Sequence, residues 1–110
     1  MTALELAIAD IGYTERPANS NMTKYGEWYG MNGVAWCVEA VMYWHSKAGT
    51  PLPYKTASCT ALLNWYRAND PGCIVKTPQK NDLGIMCFGA GRYHIGIVEK
   101  VSGRVITTIE

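Results

Sequence analysis

Cys37 is the residue of this chain whose type and setting most readily support covalent chemistry. It follows Trp36 and opens the stretch "CVEAVMYWHSKAG", in which apolar side chains recur at helical spacing. Because the thiolate is the reactive form of cysteine, and because free backbone N–H groups at a helix N-terminus lower a thiol pKa, this position suits a nucleophile but does not by itself select one. The alternatives are a buried structural thiol, half of a disulfide or a metal ligand.

A cysteine nucleophile needs a base, and histidine is the usual one. His45 lies eight positions beyond Cys37 on the same helix, which separates the two by roughly 12 Å along the axis. His45 is therefore expected to be a surface or packing residue. His94 opens the apolar segment "HIGIV" and could meet Cys37 where a strand packs against the helix N-terminus, as in papain-like sites. The alternative for His94 is a hydrogen-bonded histidine at a sheet edge.

Helical patterns fill the first two thirds of the chain. Thr2 and Glu5 form a capping-box pattern that predicts a helix over about 3–11, and Ser58 is the predicted cap of a helix that ends at about 68. Between them, a helix over about 36–48 has an apolar stripe that includes Cys37, with Glu39 outside it. Residues 13–34 are rich in glycine, asparagine and aromatic side chains and are predicted to form an ordered loop.

The last third of the chain changes to strand patterns. Segments 83–88, 93–101 and 104–110 are rich in β-branched and apolar residues and are separated by "GAGR" and "SG", which predicts successive antiparallel strands. At 110 residues with 48% hydrophobic content, the chain is expected to form one α+β domain, 1–110. Because the pattern stops inside the last strand, we expect the sequence to be the front of a longer protein, truncated at the C-terminal edge of this domain.

Charge and cysteine usage argue against several classes of function. A net charge of +1 that is spread along the chain provides no footprint for nucleic acid or an anionic membrane. No apolar stretch is long enough to span a bilayer, and the first residues do not resemble a secretory signal, so synthesis in the cytoplasm is expected. The four cysteines lack the close pairs of a zinc site, so neither a metal nor a Cys59–Cys73 disulfide is favoured, and no cofactor is predicted.

Two segments of the chain resemble one enzyme family. "GVAWCVEAVMYWHSKAGTPLP" followed by "YHIGIVEKVSGRVITTIE" resembles the CHAP family, the cysteine, histidine-dependent amidohydrolases/peptidases of the NlpC/P60-like group of papain-fold cell-wall hydrolases. The approach to the cysteine, "NMTKYGEWYGMNGVAWC", resembles CHAP domains of phage and prophage endolysins in particular. The resemblance implies a papain-like α+β fold, in which N-terminal helices pack on a C-terminal antiparallel β-sheet.

The same resemblance implies roles for three residues. It makes Cys37 the nucleophile, His94 the base and later the acid, and Glu110 the acidic residue that orients the histidine. A carboxylate on the neighbouring strand could hold the second ring nitrogen and fix the tautomer, and the alternative for Glu110 is an exposed acid without a partner. The family's usual Gly-Asp pair before the histidine strand is replaced by Asn81-Asp82. No metal is expected, because the approach to the cysteine contains no aspartate.

The resemblance also implies a reaction and a substrate. The reaction is hydrolysis of an amide bond in bacterial peptidoglycan, by an N-acetylmuramoyl-L-alanine amidase or an endopeptidase of the stem or cross-bridge. The alternatives are a papain-fold amidase or peptidase with a substrate outside the wall, and a catalytically silent wall-binding module. We expect a monomeric domain that reaches the wall after release from the host or export by a separate route, with a wall-binding domain after residue 110. The candidate substrate contacts, for which core packing is an equal alternative, are Tyr25, Trp28, Tyr29 and Trp36.

Overall fold

The computed structural model describes residues 1–89 and 92–110, and within them four α-helices precede a three-stranded antiparallel sheet. The helices are α1 (Ala3–Ala9), α2 (Lys24–Tyr29), α3 (Cys37–Lys47) and α4 (Cys59–Asn69), followed by a 3-10 turn over Pro71–Cys73. The strands are β1 (Leu83–Cys87), β2 (Tyr93–Ser102) and β3 (Val105–Ile109), in the spatial order β1-β2-β3. The predicted α+β class and the antiparallel strands are confirmed.

Side-chain caps begin two of the predicted helices. The Thr2 hydroxyl accepts from the Glu5 backbone N–H at 3.1 Å, and the Glu5 carboxylate accepts from the Thr2 N–H at 2.9 Å, so the capping box is confirmed. The Ser58 hydroxyl accepts from the Ala61 N–H at 3.1 Å and begins α4. None of the helices in the described ranges is long and apolar enough to cross a membrane.

The segment predicted as a loop contains α2, so the prediction was wrong over those residues. Thr23 caps this helix by accepting from the Gly26 N–H at 3.0 Å, and Gly30 ends it at a φ of 93°. The glycines and asparagines hid the helical pattern, because a short helix of poor propensity is stabilised by packing more than by its own sequence. Tyr25 supplies that packing from within the hydrophobic core.

Helix α3 is the central element of the core. It contacts α1, α2 and β2, and its residues from Val38 to Met42 are buried together with Trp44. The apolar face is therefore wider than the predicted stripe. Glu39, which was expected outside the stripe, is 0% exposed, and neither of its carboxylate oxygens has a hydrogen-bond partner among the described residues.

Strand β2 is the middle strand and pairs with both neighbours. On the β3 side, Ile97 pairs with Ile109 and Val98 pairs with Thr108. A bulge at Glu99 then shifts the register by one residue. Because side chains alternate between the two faces of a sheet, this shift determines which residues of β3 share a face with each residue of β2.

The turn before β1 explains one departure from the resembled family. Asn81 stands where a glycine is usual, and its φ of 78° lies in the left-handed region that glycine adopts freely and asparagine tolerates. The substitution therefore keeps the turn. Within the predicted turn at 89–92, residues 90 and 91 lie outside the described residues.

Candidate active site

Cys37 is the first residue of α3 and is half-buried. Burial raises the pKa of its thiol, the backbone N–H groups of Val38, Ile95 and Cys37 itself lower it, and the negative charge of Glu110 raises it again. The net result is a pKa above the usual value for cysteine. The expected lowering by the helix N-terminus is thus present but is outweighed by burial, so the thiol of the resting protein keeps its proton at neutral pH.

His94 and Glu110 lie next to each other at the sheet. His94 belongs to β2 and Glu110 directly follows β3, with Nε2 of the imidazole 3.4 Å from Oε1 of the carboxylate. The other carboxylate oxygen accepts a hydrogen bond from the Thr108 hydroxyl at 3.0 Å. Both side chains are partly exposed, 31% for His94 and 40% for Glu110. The carboxylate can therefore hold one ring nitrogen of His94 while the pair stays accessible from solvent.

Helix α3, which Cys37 opens, contacts β2, the strand that carries His94. The backbone N–H of Ile95, the residue after His94, lowers the pKa of the Cys37 thiol. The Glu110 carboxylate is near enough to raise the pKa of the same thiol through its charge. The structure thus brings Cys37 near Glu110 and near the residue that follows His94, and it brings Glu110 into contact with His94. A thiol, an imidazole and a carboxylate form a constellation that is suited to acyl transfer through a thioester.

His45 is separate from this group. It lies in the last turn of α3, where Nδ1 is 2.8 Å from the carbonyl oxygen of Val41. Burial lowers the pKa of His45, and the hydrogen bond to Val41 opposes that shift without cancelling it. A half-buried ring with a lowered pKa suits the packing role that was predicted for His45.

All four cysteines are free thiols, so no disulfide joins Cys59 to Cys73. Cys59 opens α4 and is buried, and burial together with the charge of Cys37 raises its pKa to about 11. Cys73 and Cys87 are exposed. Within residues 1–89 and 92–110, no three histidine, cysteine or acidic side chains are grouped closely enough to hold a metal ion.

Tyr25, one of the four candidate substrate contacts, is a core residue instead. It is 1% exposed, stacks on Trp36 with ring centroids 5.6 Å apart, and meets three further aromatic rings edge-on. A ring enclosed in this way has no free face for a substrate to stack on, so the core-packing alternative applies. Trp28, Tyr29 and Trp36 are half-buried against the same core, and their contact with substrate stays a prediction.

Asp10 anchors this aromatic core, and no sequence pattern marked it. Its carboxylate accepts hydrogen bonds from Lys24 Nζ, the Tyr25 hydroxyl and Trp44 Nε1, each at 2.9 Å. Burial raises the pKa of Asp10, but these three hydrogen bonds and the charge of Lys24 together lower it further than burial raises it. The partners lie 14 to 34 residues further along the chain, so only the tertiary structure reveals them.

Two cavities lie beside the sheet, and one of them is lined by Glu110. One, of about 310 Å³, is lined by Asp10, Trp36 and Glu110. The other, a groove of about 770 Å³ between α4 and β1, reaches Tyr93, the neighbour of His94. A binding site requires such concave space beside its polar groups, and the cavity at Glu110 provides it.

Comparison with protein families identifies the domain. The CHAP domain family model matches residues 28–110, which are 83 of the 110 residues of the chain. No curated protein and no solved structure matches the chain. Helix α1 and Asp10 precede the matched range.

Proposed function

The chain belongs to the CHAP domain family, whose members are generally amidases or peptidases, and we propose that it is a peptidoglycan hydrolase of the phage endolysin type with Cys37 as nucleophile. The observation that carries the proposal is the 3.4 Å contact between His94 and Glu110 beside the helix N-terminus that Cys37 opens. Such a pair supplies the oriented base that a protonated thiol needs.

The proposed acylation begins at the free nitrogen of the imidazole. Because Glu110 lies at Nε2, that nitrogen carries the proton and Nδ1 is left as the base. His94 takes the thiol proton as Cys37 Sγ attacks the amide carbonyl carbon, and a tetrahedral intermediate forms. His94 then gives this proton to the leaving amine, the C–N bond breaks, and a thioester remains on Cys37.

Water completes the proposed cycle. His94 removes a proton from a water molecule that attacks the thioester carbonyl, and the second tetrahedral intermediate collapses to release the carboxylic acid and restore the thiol. The first-turn N–H groups of α3, those of Cys37 and Val38, have no partner within the helix and are proposed to stabilise the negative oxygen of both intermediates. Glu110 stabilises the imidazolium that forms in each step.

The proposed substrate bond is an amide of the wall. It either joins the glycan to the stem peptide, as cut by an N-acetylmuramoyl-L-alanine amidase, or lies within the stem or cross-bridge, as cut by an endopeptidase. Thiol acyl transfer is the same for both bonds, and the choice between them depends on how the substrate lies in the cavity beside Glu110. Trp28, Tyr29 and Trp36 are the proposed contacts for substrate.

Mass spectrometry of muropeptides, after purified walls are digested, tests the proposal. Wild type should release free stem peptides if it is an amidase, or new peptide termini if it is an endopeptidase. Cys37→Ala and His94→Ala should each reduce product by at least about 10³-fold. Cys87→Ala and His45→Gln replace a cysteine and a histidine that are not among the proposed catalytic residues, so these matched controls should digest walls like wild type.

Other outcomes would contradict the proposal. Undiminished digestion by Cys37→Ala would exclude the thiol mechanism. Turnover of casein or small amides without turnover of walls would indicate a substrate outside the wall. Sedimentation of the protein with walls, with no release of fragments, would indicate a silent binding module.

A further inference from the structure

Gly96 lies between His94 and Glu110 in the folded sheet. It is two positions after His94 in β2, and so lies on the same face of the sheet. One step beyond the Ile97–Ile109 pair in the same register, it lies opposite Glu110. The Glu110 side chain must therefore cross the position of Gly96 to reach His94.

No room exists for a side chain at Gly96. A Cβ atom placed there would lie 2.8 Å from the carbonyl oxygen of Ile109, 3.1 Å from Cβ of Glu110 and 3.3 Å from Cβ of Thr108. The closest of these is a backbone atom, so relief requires movement of the end of β3 itself. That movement would carry Glu110 away from His94.

The bulge at Glu99 is the second feature, after the absence of a side chain at Gly96, that lets the Glu110 carboxylate reach His94. With the extra residue, Ile97 pairs with Ile109, and the same register extended by one residue places Gly96 opposite Glu110. If the register of the Ser102–Val105 pair continued along the strands without the extra residue, Glu110 would lie opposite Ile97. Ile97 points to the face opposite that of His94, so a register without the bulge turns the carboxylate away from the imidazole.

We propose that Gly96 is a positioning residue, which together with the bulge at Glu99 lets the Glu110 carboxylate reach the imidazole of His94. This assignment rests on the proposed function for its effect on turnover. Its structural content is independent: the absence of a side chain at position 96 sets the contact between Glu110 and His94.

Gly84 supplies a matched control in the same sheet. It pairs directly with Gly96 across β1 and β2, and a Cβ atom there would lie 3.5 Å from Thr108 Cγ2 and 3.6 Å from Val98 Cγ2, which are ordinary contacts. Neither glycine has a left-handed φ. Alanine is therefore compatible with the backbone at both positions, and the difference between the two variants is the space around the added methyl group.

Turnover of a soluble muropeptide by the two variants is the first test. Gly96→Ala should lower kcat by roughly 10²-fold, as expected for a misplacement of about 1 Å in a catalytic group. Its KM should stay near the wild-type value, because the substrate surface is unchanged, and Gly84→Ala should match wild type in both constants. Equal losses in the two alanine variants would overturn the proposal, because they would indicate general disturbance of the sheet.

A double-mutant cycle shows whether Gly96 acts through Glu110. In a Glu110→Gln background, Gly96→Ala should cause little further loss, because the contact it disrupts is already weakened. Losses that multiply in the double variant would show that Gly96 acts on something else and would overturn the proposal.

Two NMR measurements test the geometry without any turnover. Wild type should show a cross-peak between the α protons of Gly96 and the β protons of Glu110, and its absence would overturn the proposal even if Gly96→Ala fails to fold. Nitrogen shifts of the His94 ring should report the Nε2–H tautomer in wild type and Gly84→Ala, and a mixture of tautomers in Gly96→Ala. If no variant or wild type digests walls, the proposed function fails, while these two measurements still decide the role of Gly96.

Discussion

Nε2 of His94 lies 3.4 Å from Oε1 of Glu110, although the two residues are sixteen positions apart in the chain. The antiparallel pairing of β2 with β3 brings them together, and the Thr108 hydroxyl holds the other oxygen of the carboxylate. Because the carboxylate lies at Nε2, the remaining nitrogen, Nδ1, is the one left to act on a thiol. The relation between these two residues thus determines which side of the imidazole can be a base.

Loss of the Thr108 hydroxyl should weaken this arrangement without breaking it. Thr108→Val keeps the shape of the side chain and removes the hydrogen bond to Glu110. Since such a bond contributes about 1 kcal/mol, kcat should fall roughly fivefold. Thr107→Val, at the neighbouring position on the other face of β3, is the control and should turn over substrate like wild type; equal effects at the two positions would contradict the role of the hydroxyl.

Alkylation of Cys37 should increase only toward alkaline pH. Burial raises the pKa of its thiol, so the thiolate fraction grows as the pH rises through a value above that of ordinary cysteine. Cys59, with a pKa raised to about 11, should react at still higher pH. Peptide mapping after brief iodoacetamide treatment across a pH series measures both sites. Rapid alkylation of Cys37 below neutral pH would show instead a thiolate stabilised by an imidazolium in the resting protein.

Glu39 should limit stability at neutral pH. Burial raises its pKa above that of an exposed carboxyl group, and neither oxygen has a partner among the described residues. Its contribution to stability is therefore complete below the ordinary carboxyl pKa and is lost as the pH rises through the raised value. Glu39→Met should gain roughly 1–3 kcal/mol in the free energy of unfolding at neutral pH, because the buried charge is removed.

Urea unfolding of Glu39→Met and wild type, from acidic to neutral pH, measures this effect. The gain should shrink as the pH falls, since the wild-type carboxyl group is then neutral. Glu27→Met, which replaces an exposed glutamate of α2, is the control and should change stability little at any pH. A gain that does not depend on pH would contradict burial of the charge as its cause.

Asp10 should show the opposite pH dependence. Burial raises the pKa of Asp10, but the hydrogen bonds from Trp44, Lys24 and Tyr25 and the charge of Lys24 lower it overall. The contribution of Asp10 to stability is therefore present above the ordinary carboxyl pKa and is lost as the pH falls through the lowered value. Asp10→Ala leaves Tyr25 and Trp44 without an acceptor and should cost roughly 2–4 kcal/mol in thermal or urea unfolding. Tyr25→Phe removes one of these bonds and should cost about 1 kcal/mol. Equal losses in the two variants would contradict the prediction, because they would show that the bonds to Asp10 do not contribute separately.

The sequence by itself determined the local elements of this protein. The Thr2–Glu5 capping box, the Ser58 cap and the alternation in the last third depend only on residues near one another in the chain, so they could be predicted from it. The position of Cys37 at a helix start follows from the same kind of local pattern. The separation of His45 from Cys37 follows from helix geometry alone.

Only the tertiary structure decided how those elements contact one another. Helix α2 depends on the burial of Tyr25, and Asp10 is bonded to groups far along the chain. The raised pKa of Cys37 depends on how far the effect of burial outweighs that of the helix N-terminus. The contact between Glu110 and His94 depends on a one-residue bulge and on the empty space at Gly96. Each is a property of packing between distant segments, and no local pattern encodes the distances involved.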